Sequence, residues 1–125
     1  MNKIWIVLAA VPVFHVALAN PVHADAAAEK YVDDALQYMY HSCKSVVDEA
    51  DGDEAYIDKV VRALVAVSLY NHEIDISMYV KNDADKTALR DKFVAALGGK
   101  CKGDKEALLA GAIDDAVVSA ISLKK

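Results

Sequence analysis

The chain has 125 residues, 19 acidic against 14 basic side chains, a formal net charge of −5 and two cysteines. Nucleic acid and anionic lipid surfaces attract basic patches, so this balance argues against both as partners. The longest basic cluster, Lys100, Lys102 and Lys105, is soon followed by acids.

The first 24 residues read as an export signal. Lys3 is the only charge before Asp25, Ile4 to Ala19 is apolar apart from His15, and small residues follow. That order of charged, apolar and small-residue segments is the layout of a secretory signal peptide. Cleavage is expected after Ala24, at Val22-His23-Ala24, with Ala17-Leu18-Ala19 as the second site. The run is shorter than the roughly 20 residues of a bilayer span, and Pro12 and His15 interrupt it. Cleavage would leave one domain, residues 25–125, periplasmic or secreted and without stable membrane insertion. Lys3 goes with the signal, so the remainder is one unit more acidic. Both prolines go too, and the absence of this helix breaker suits a helical bundle.

Ala28, Val32, Ala35, Leu36, Met39, Cys43, Val46, Val47 and Ala50 recur at three- and four-residue steps. They predict one amphipathic helix from about Ala26 to Glu49, with Asp25 as its cap. Tyr38 and Tyr40 fall off its apolar stripe. A turn at Gly52 follows. A second helix, capped by Asp53, is predicted to about Tyr70 with Ile57, Val60, Val61, Leu64, Val67 and Ser68 inward. It is apolar nearly all round from Ala63 to Tyr70, which marks it as the central helix or a dimer face.

Between Asn71 and Asn82 the alternation of Ile74, Ile76, Met78 and Val80 fits a strand, while Ile74 and Met78 also share a helical face. A lone strand has nothing to pair with, so a short helix or ordered loop is favoured. Asn82, Asp83 and Asp85 offer caps for a third helix carrying Leu89, Phe93, Val94 and Leu97 and stopping at Gly98-Gly99. A fourth, capped by Asp104, runs to about Leu123 and buries Leu109, Ile113, Ala116, Val117, Ala120 and Ile121. Gly111 inside it implies close packing of another helix. The expected fold is all-α, a bundle of four to five helices.

Cys43 and Cys101 survive cleavage, and an even pair in an exported chain reads as a disulfide. No CxxC redox motif is present. His41 and Cys43 diverge by about 200° on a helix and cannot share a metal. His41 and His72 are expected at the surface or an interface. The segment from Val47 to Asp58 has the glycine of a calcium loop at Gly52, but Val47 occupies the first ligand position and Asp58 the last, so a solvated turn is expected. The adjacent acids Asp33-Asp34, Asp48-Glu49, Asp53-Glu54 and Asp114-Asp115 point about 100° apart on a helix and make solvated faces, not a shared-proton dyad. No catalytic constellation, metal or cofactor is indicated.

Six tyrosines against two phenylalanines is a skewed aromatic set. Tyrosines serve at interfaces or at the edge of a core. Recognition commonly lies on loops, and two acidic ones stand out: Asp48 to Glu54, with Asp48, Asp51 and Glu54, and Asn71 to Asp85, with Glu73, Asp75 and Tyr79. A basic partner would be attracted to either. The same acids also serve as helix caps and solubilising charge.

The signal segment, the helices, the acidic remainder and the Cys43…Cys101 pair together resemble small exported immunity proteins. Those neutralise cell-wall amidase effectors of type VI secretion. The resemblance implies an inhibitor, not an enzyme, acting as a dimer that inserts a loop into the effector's cleft, with a protein toxin as partner. No individual inhibitory residue is matched. The alternative is a periplasmic acid-stress chaperone, which shares size, helicity and a disulfide but not the placement of Cys43 in mid-helix.

Overall fold

The computed structural model describes residues 29–122. The segment read as an export signal, both expected cleavage positions, the expected Asp25 cap and Leu123 lie outside the described residues. Contacts separate Met1–Lys30 from Tyr31–Lys125, and the architecture below is that of the second unit.

Five helices form, without a β-strand among the described residues. The first, α1, is helical over residues 29–36; then come α2 (Cys43–Ala50), α3 (Glu54–Asn71), a single 3-10 turn (Ile76–Met78), α4 (Asp83–Gly103) and α5 (Leu109–Ile121).

The continuous first helix expected to Glu49 is therefore broken. Ser42 caps α2 by accepting from the Ser45 N–H, and the Ser45 hydroxyl accepts from the Ser42 N–H. Such side-chain bonds offer the backbone an alternative to the helix. Across the break the chain pairs with the segment before α5. Cys43 N–H donates to the Ala107 carbonyl at 3.0 Å and Leu109 N–H to that of His41 at 2.8 Å. The break rotates the side chains. Tyr38 and His41, read as off the stripe and at the surface, are buried, while Leu36 and Val47, read as core, are exposed.

Asp51 (φ 47°) and Gly52 (φ 87°) make the left-handed turn into α3. Asp tolerates this conformation better than most residues and glycine adopts it freely. Asp53 caps α3 by accepting from Ala55 and Tyr56 N–H. The ambiguous segment after α3 is an ordered turn, not a strand, and Asn82 caps α4 through the Asp85 N–H at 2.9 Å.

Two boundaries differ from expectation. Helix α4 continues through Gly98-Gly99 to Gly103, so Cys101 lies in its last turn. A Gly pair ends a helix only where one adopts the left-handed conformation, and neither does. Lys100 and Lys102 suit the C-terminal end of the helix dipole. Asp104 is then the residue after α4, its side chain accepting from the Glu106 N–H, and α5 starts at Leu109 without a side-chain cap.

The central helix is α5, not α3. It buries Leu109, Ala112, Ile113, Ala116, Val117, Val118 and Ala120, and it packs against both α3 and α4. Small Ala side chains four residues apart let neighbours approach closely. Gly111 plays no part in that approach, since a Cβ there would meet nothing within 4 Å. Helix α3 turns only Val60, Leu64 and Ser68 fully inward.

The disulfide joins Cys43 to Cys101 with Cα atoms 5.5 Å apart. It staples the start of α2 to the end of α4 beside the backbone pairing of His41 and Cys43.

Candidate binding surface

The two acidic loops stand at opposite ends of α3. Eighteen residues at a helical rise of 1.5 Å separate them by about 27 Å, so they do not form one site. In the first loop Asp48 pairs with Lys44 one turn earlier, Asp51 forms the left-handed turn and Glu54 sits in the first turn of α3. All three are exposed, and each has a local structural task.

The second loop is different. Glu73 is left-handed at φ 53°. Asp75 accepts from the Ser77 N–H at 3.0 Å and the Ser77 hydroxyl at 2.6 Å. These bonds hold its carboxyl below the usual carboxylate range, and nearby Lys81 adds to the effect. Lys81 in turn donates to the Ser77 carbonyl. On this pinned turn Ile76, Met78 and Tyr79 are exposed, Met78 to 68%, as is Tyr70 in the last turn of α3 before it. Four large apolar side chains held outward within ten residues of chain are more than scattered surface hydrophobics. The sequence singled out only Tyr79 of these.

A groove lies beside this turn. Helix α5 packs on both α3 and α4, whereas α3 and α4 hardly touch. The space between them, about 270 Å³, is walled by Val65 and Leu69 of α3 and Leu89 and Phe93 of α4, floored by Val117 and Ala120 of α5, and joined by Ile76 and Val80 from the turn. Among the described residues, Lys86 and Arg90 of α4 are its only charged lining residues. Sequence reasoning missed this feature because periodicity assigns each helix an inward face but not the gap between two of them.

Sequence reasoning also missed a polar network around the break after α1. His41 is fully buried. Its Nδ1 lies 2.9 Å from Ser45 Oγ and its Nε2 3.1 Å from the Tyr56 hydroxyl. Tyr56 donates to Glu49 Oε1 at 3.1 Å and Tyr40 to Glu49 Oε2 at 2.7 Å. Since a carboxylate only accepts, the Tyr56 proton points to Glu49, which leaves the His41 Nε2–H to donate to Tyr56; Nε2 also lies 3.4 Å from Glu49 Oε2. The Glu49 bond, with burial, pushes the Tyr40 phenol up to about 12. Burial first and then Glu49 raise Tyr56, while the two phenols and His41 lower Glu49. Both imidazole nitrogens are occupied, so this arrangement fixes the chain break and leaves His41 no free nitrogen for a substrate.

The Asp114-Asp115 pair is not merely solvated. Asp114 Oδ1 accepts from Ser68 Oγ at 2.7 Å and lies 2.9 Å from His72 Nε2, while Asp115 pairs with Lys100 at 3.1 Å. His72 is partly exposed beside Asp114. Among the described residues, no group of three His, Cys, Asp or Glu side chains is placed to hold a metal ion, and no helix is long and apolar enough to cross a membrane. No known protein family, curated protein or solved structure matches this chain.

Proposed function

We propose that the chain is an exported, non-enzymatic binding module for a protein partner. In this reading it is an immunity or inhibitor protein that neutralises a cell-wall-directed effector in the periplasm. The observation that carries the reading is the α3–α4 connection. It presents Ile76, Met78 and Tyr79 outward on a turn already fixed by Asp75 and Ser77, with Tyr70 exposed at the end of α3 beside it. A preformed turn loses little further entropy on binding, and exposed aromatic and Met side chains are the types enriched in interface cores. Glu73 and Asp75 would favour a partner with basic residues around its cleft, chiefly through faster association. The Cys43–Cys101 bond is compatible with an oxidising compartment.

The test is complex formation with a cognate effector, sought first among the products of neighbouring genes. The disulfide-bonded protein should form a stable one-to-one or two-to-two complex. Met78→Asp with Tyr79→Ala should weaken it by at least about tenfold at unchanged helicity, and Glu73→Gln should steepen nothing but lower the salt dependence of association. Unaltered affinity in the Met78 and Tyr79 variant would move the contact elsewhere.

The second reading, an acid-stress chaperone, draws on Asp114 and Asp115. Their contacts tie α5 to α3 and α4, and carboxylate protonation weakens such ties. Low pH would then expose the apolar faces between the helices. Expansion at low pH with binding of many unrelated clients would favour it over the inhibitor reading.

A further inference from the structure

We infer that the groove between α3 and α4 is a binding site for a single-chain anionic amphiphile, a free fatty acid of short to medium length. This goes beyond the protein-binding reading and does not depend on it. The first observation is composition: among the described residues, every wall and floor residue is apolar except Lys86 and Arg90. The second is their placement. They lie four residues apart on α4, hence on one face, where like charges repel. Both are exposed, and among the described residues neither forms an ion pair. Two cations side by side at an apolar groove, without an ion-pair partner among the described residues and in a chain of net charge −5, are complementary to one carboxylate with an apolar tail. The guanidinium of Arg90 suits a carboxylate in particular, since its planar fork can bind both oxygens.

Size narrows the ligand. From Lys86 to Phe93 the α4 wall rises about 10 Å, and the 270 Å³ volume is near the lower end for ligand sites, roughly 300 Å³. A decanoyl-type chain suits this better than a long membrane acyl chain. A bilayer surface is disfavoured by the overall acidic charge. The remaining occupants of such a groove, a second copy of this chain or a partner helix, would need no anionic group opposite Lys86 and Arg90.

The experiment titrates the purified, disulfide-bonded protein with decanoate and with decyltrimethylammonium below their micellar concentrations. Binding is followed by calorimetry and amide NMR. Saturable one-to-one binding of decanoate is expected, at least about tenfold tighter than the cation, with shifts concentrated at Leu69, Leu89, Phe93 and Ala120. Lys86→Glu with Arg90→Glu, both exposed, should keep the circular dichroism and reverse the order of the two ligands. Absence of saturable decanoate binding overturns the proposal, as does equal affinity in the reversed variant. Binding to phosphatidylglycerol vesicles but not to free decanoate also overturns it. So does a dimer in sedimentation that Leu89→Glu dissociates, which would give the groove to a second copy. A protein partner that needs Lys86 and Arg90, with decanoate failing to bind, would give it to a peptide. Decanoate can fail while the Met78 and Tyr79 surface still binds an effector, so the two readings fail separately.

Discussion

Asp114 and Asp115 are consecutive on α5 yet brace different helices: Asp114 reaches Ser68 and His72 at the end of α3, and Asp115 reaches Lys100 in α4. A helical step of about 100° is what allows two neighbouring carboxylates to hold the two helices flanking the central one.

The two should differ in weight. Ser68 is 3% exposed, so Asp114→Ala removes the acceptor of a buried hydroxyl, at a cost of roughly 1–3 kcal/mol. Asp115 and Lys100 are solvated, and Asp115→Ala should cost less than about 1 kcal/mol. Urea unfolding of both variants checks the order.

The Cys43–Cys101 bond closes a loop of 58 residues in sequence separation. Loop entropy of that size corresponds to about 4 kcal/mol, and removal of native disulfides costs 2–5 kcal/mol. Reduced protein, or Cys101→Ser, should lose that order of stability in urea and melt well below the oxidised form. Equal midpoints with and without reductant would refute the expectation.

Three glycines are targets for stabilisation. Gly98, Gly99 and Gly111 lie inside helices, none has positive φ, and a Cβ at each would meet nothing within 4 Å. Each Gly→Ala should raise stability by about 0.5–1 kcal/mol, readable as a rise in Tm. At Gly111 a loss would restore the close helix contact expected from the sequence.

His41 is fully buried, with a hydrogen-bond partner at each ring nitrogen. His41→Ala leaves a cavity and strips partners from Ser45 and Tyr56, for a loss of roughly 2–4 kcal/mol. Thermal unfolding measures it. Partner binding by the folded fraction should be unchanged.

Two pH windows follow from Glu49 and Tyr40. Glu49 lies below its ordinary 4.5 in the folded chain, so the unfolded chain binds the proton first. Its stabilisation is full above pH 4.5 and is lost as pH falls through the lower folded value; Asp75, lowered from 3.8, acts in the same direction. Tyr40 is raised from 10.0 to about 12, so its contribution is full below pH 10 and declines as pH climbs toward 12. Unfolding midpoints across both ranges, with the ultraviolet absorbance of phenolate, test this. In Glu49→Gln the late phenolate titration of Tyr40 should move back toward 10.

The helical fold, the disulfide and most inward positions were legible because apolar side chains repeat at helical spacing and the cysteines are paired in number. The break between α1 and α2 was not. The stripe from Ala28 to Ala50 continues across it, and the reason for stopping lies in partners far along the chain: Ala107 and Leu109 for the backbone, Tyr56 for His41. The Gly98-Gly99 stop misled for the converse reason, since a glycine permits a left-handed end without compelling one. Of the candidate contact residues, Glu73, Asp75 and Tyr79 share one ordered turn, while Asp48, Asp51 and Glu54 stand at the far end of α3. Lys86 and Arg90 gave no sequence signal, because a charge at a groove mouth and a charge on a solvated face look alike until the neighbouring helix is in place.

The Cys43–Cys101 linkage makes a covalent ring of α2, α3 and α4 and leaves α1 and the central α5 outside it. A protease that cuts once at the exposed Met78 turn would therefore release no fragment. The nicked molecule would keep its full mass in a non-reducing gel, its two pieces held through sulfur with α5 still seated between α3 and α4, and would come apart only when a reductant reached the bond.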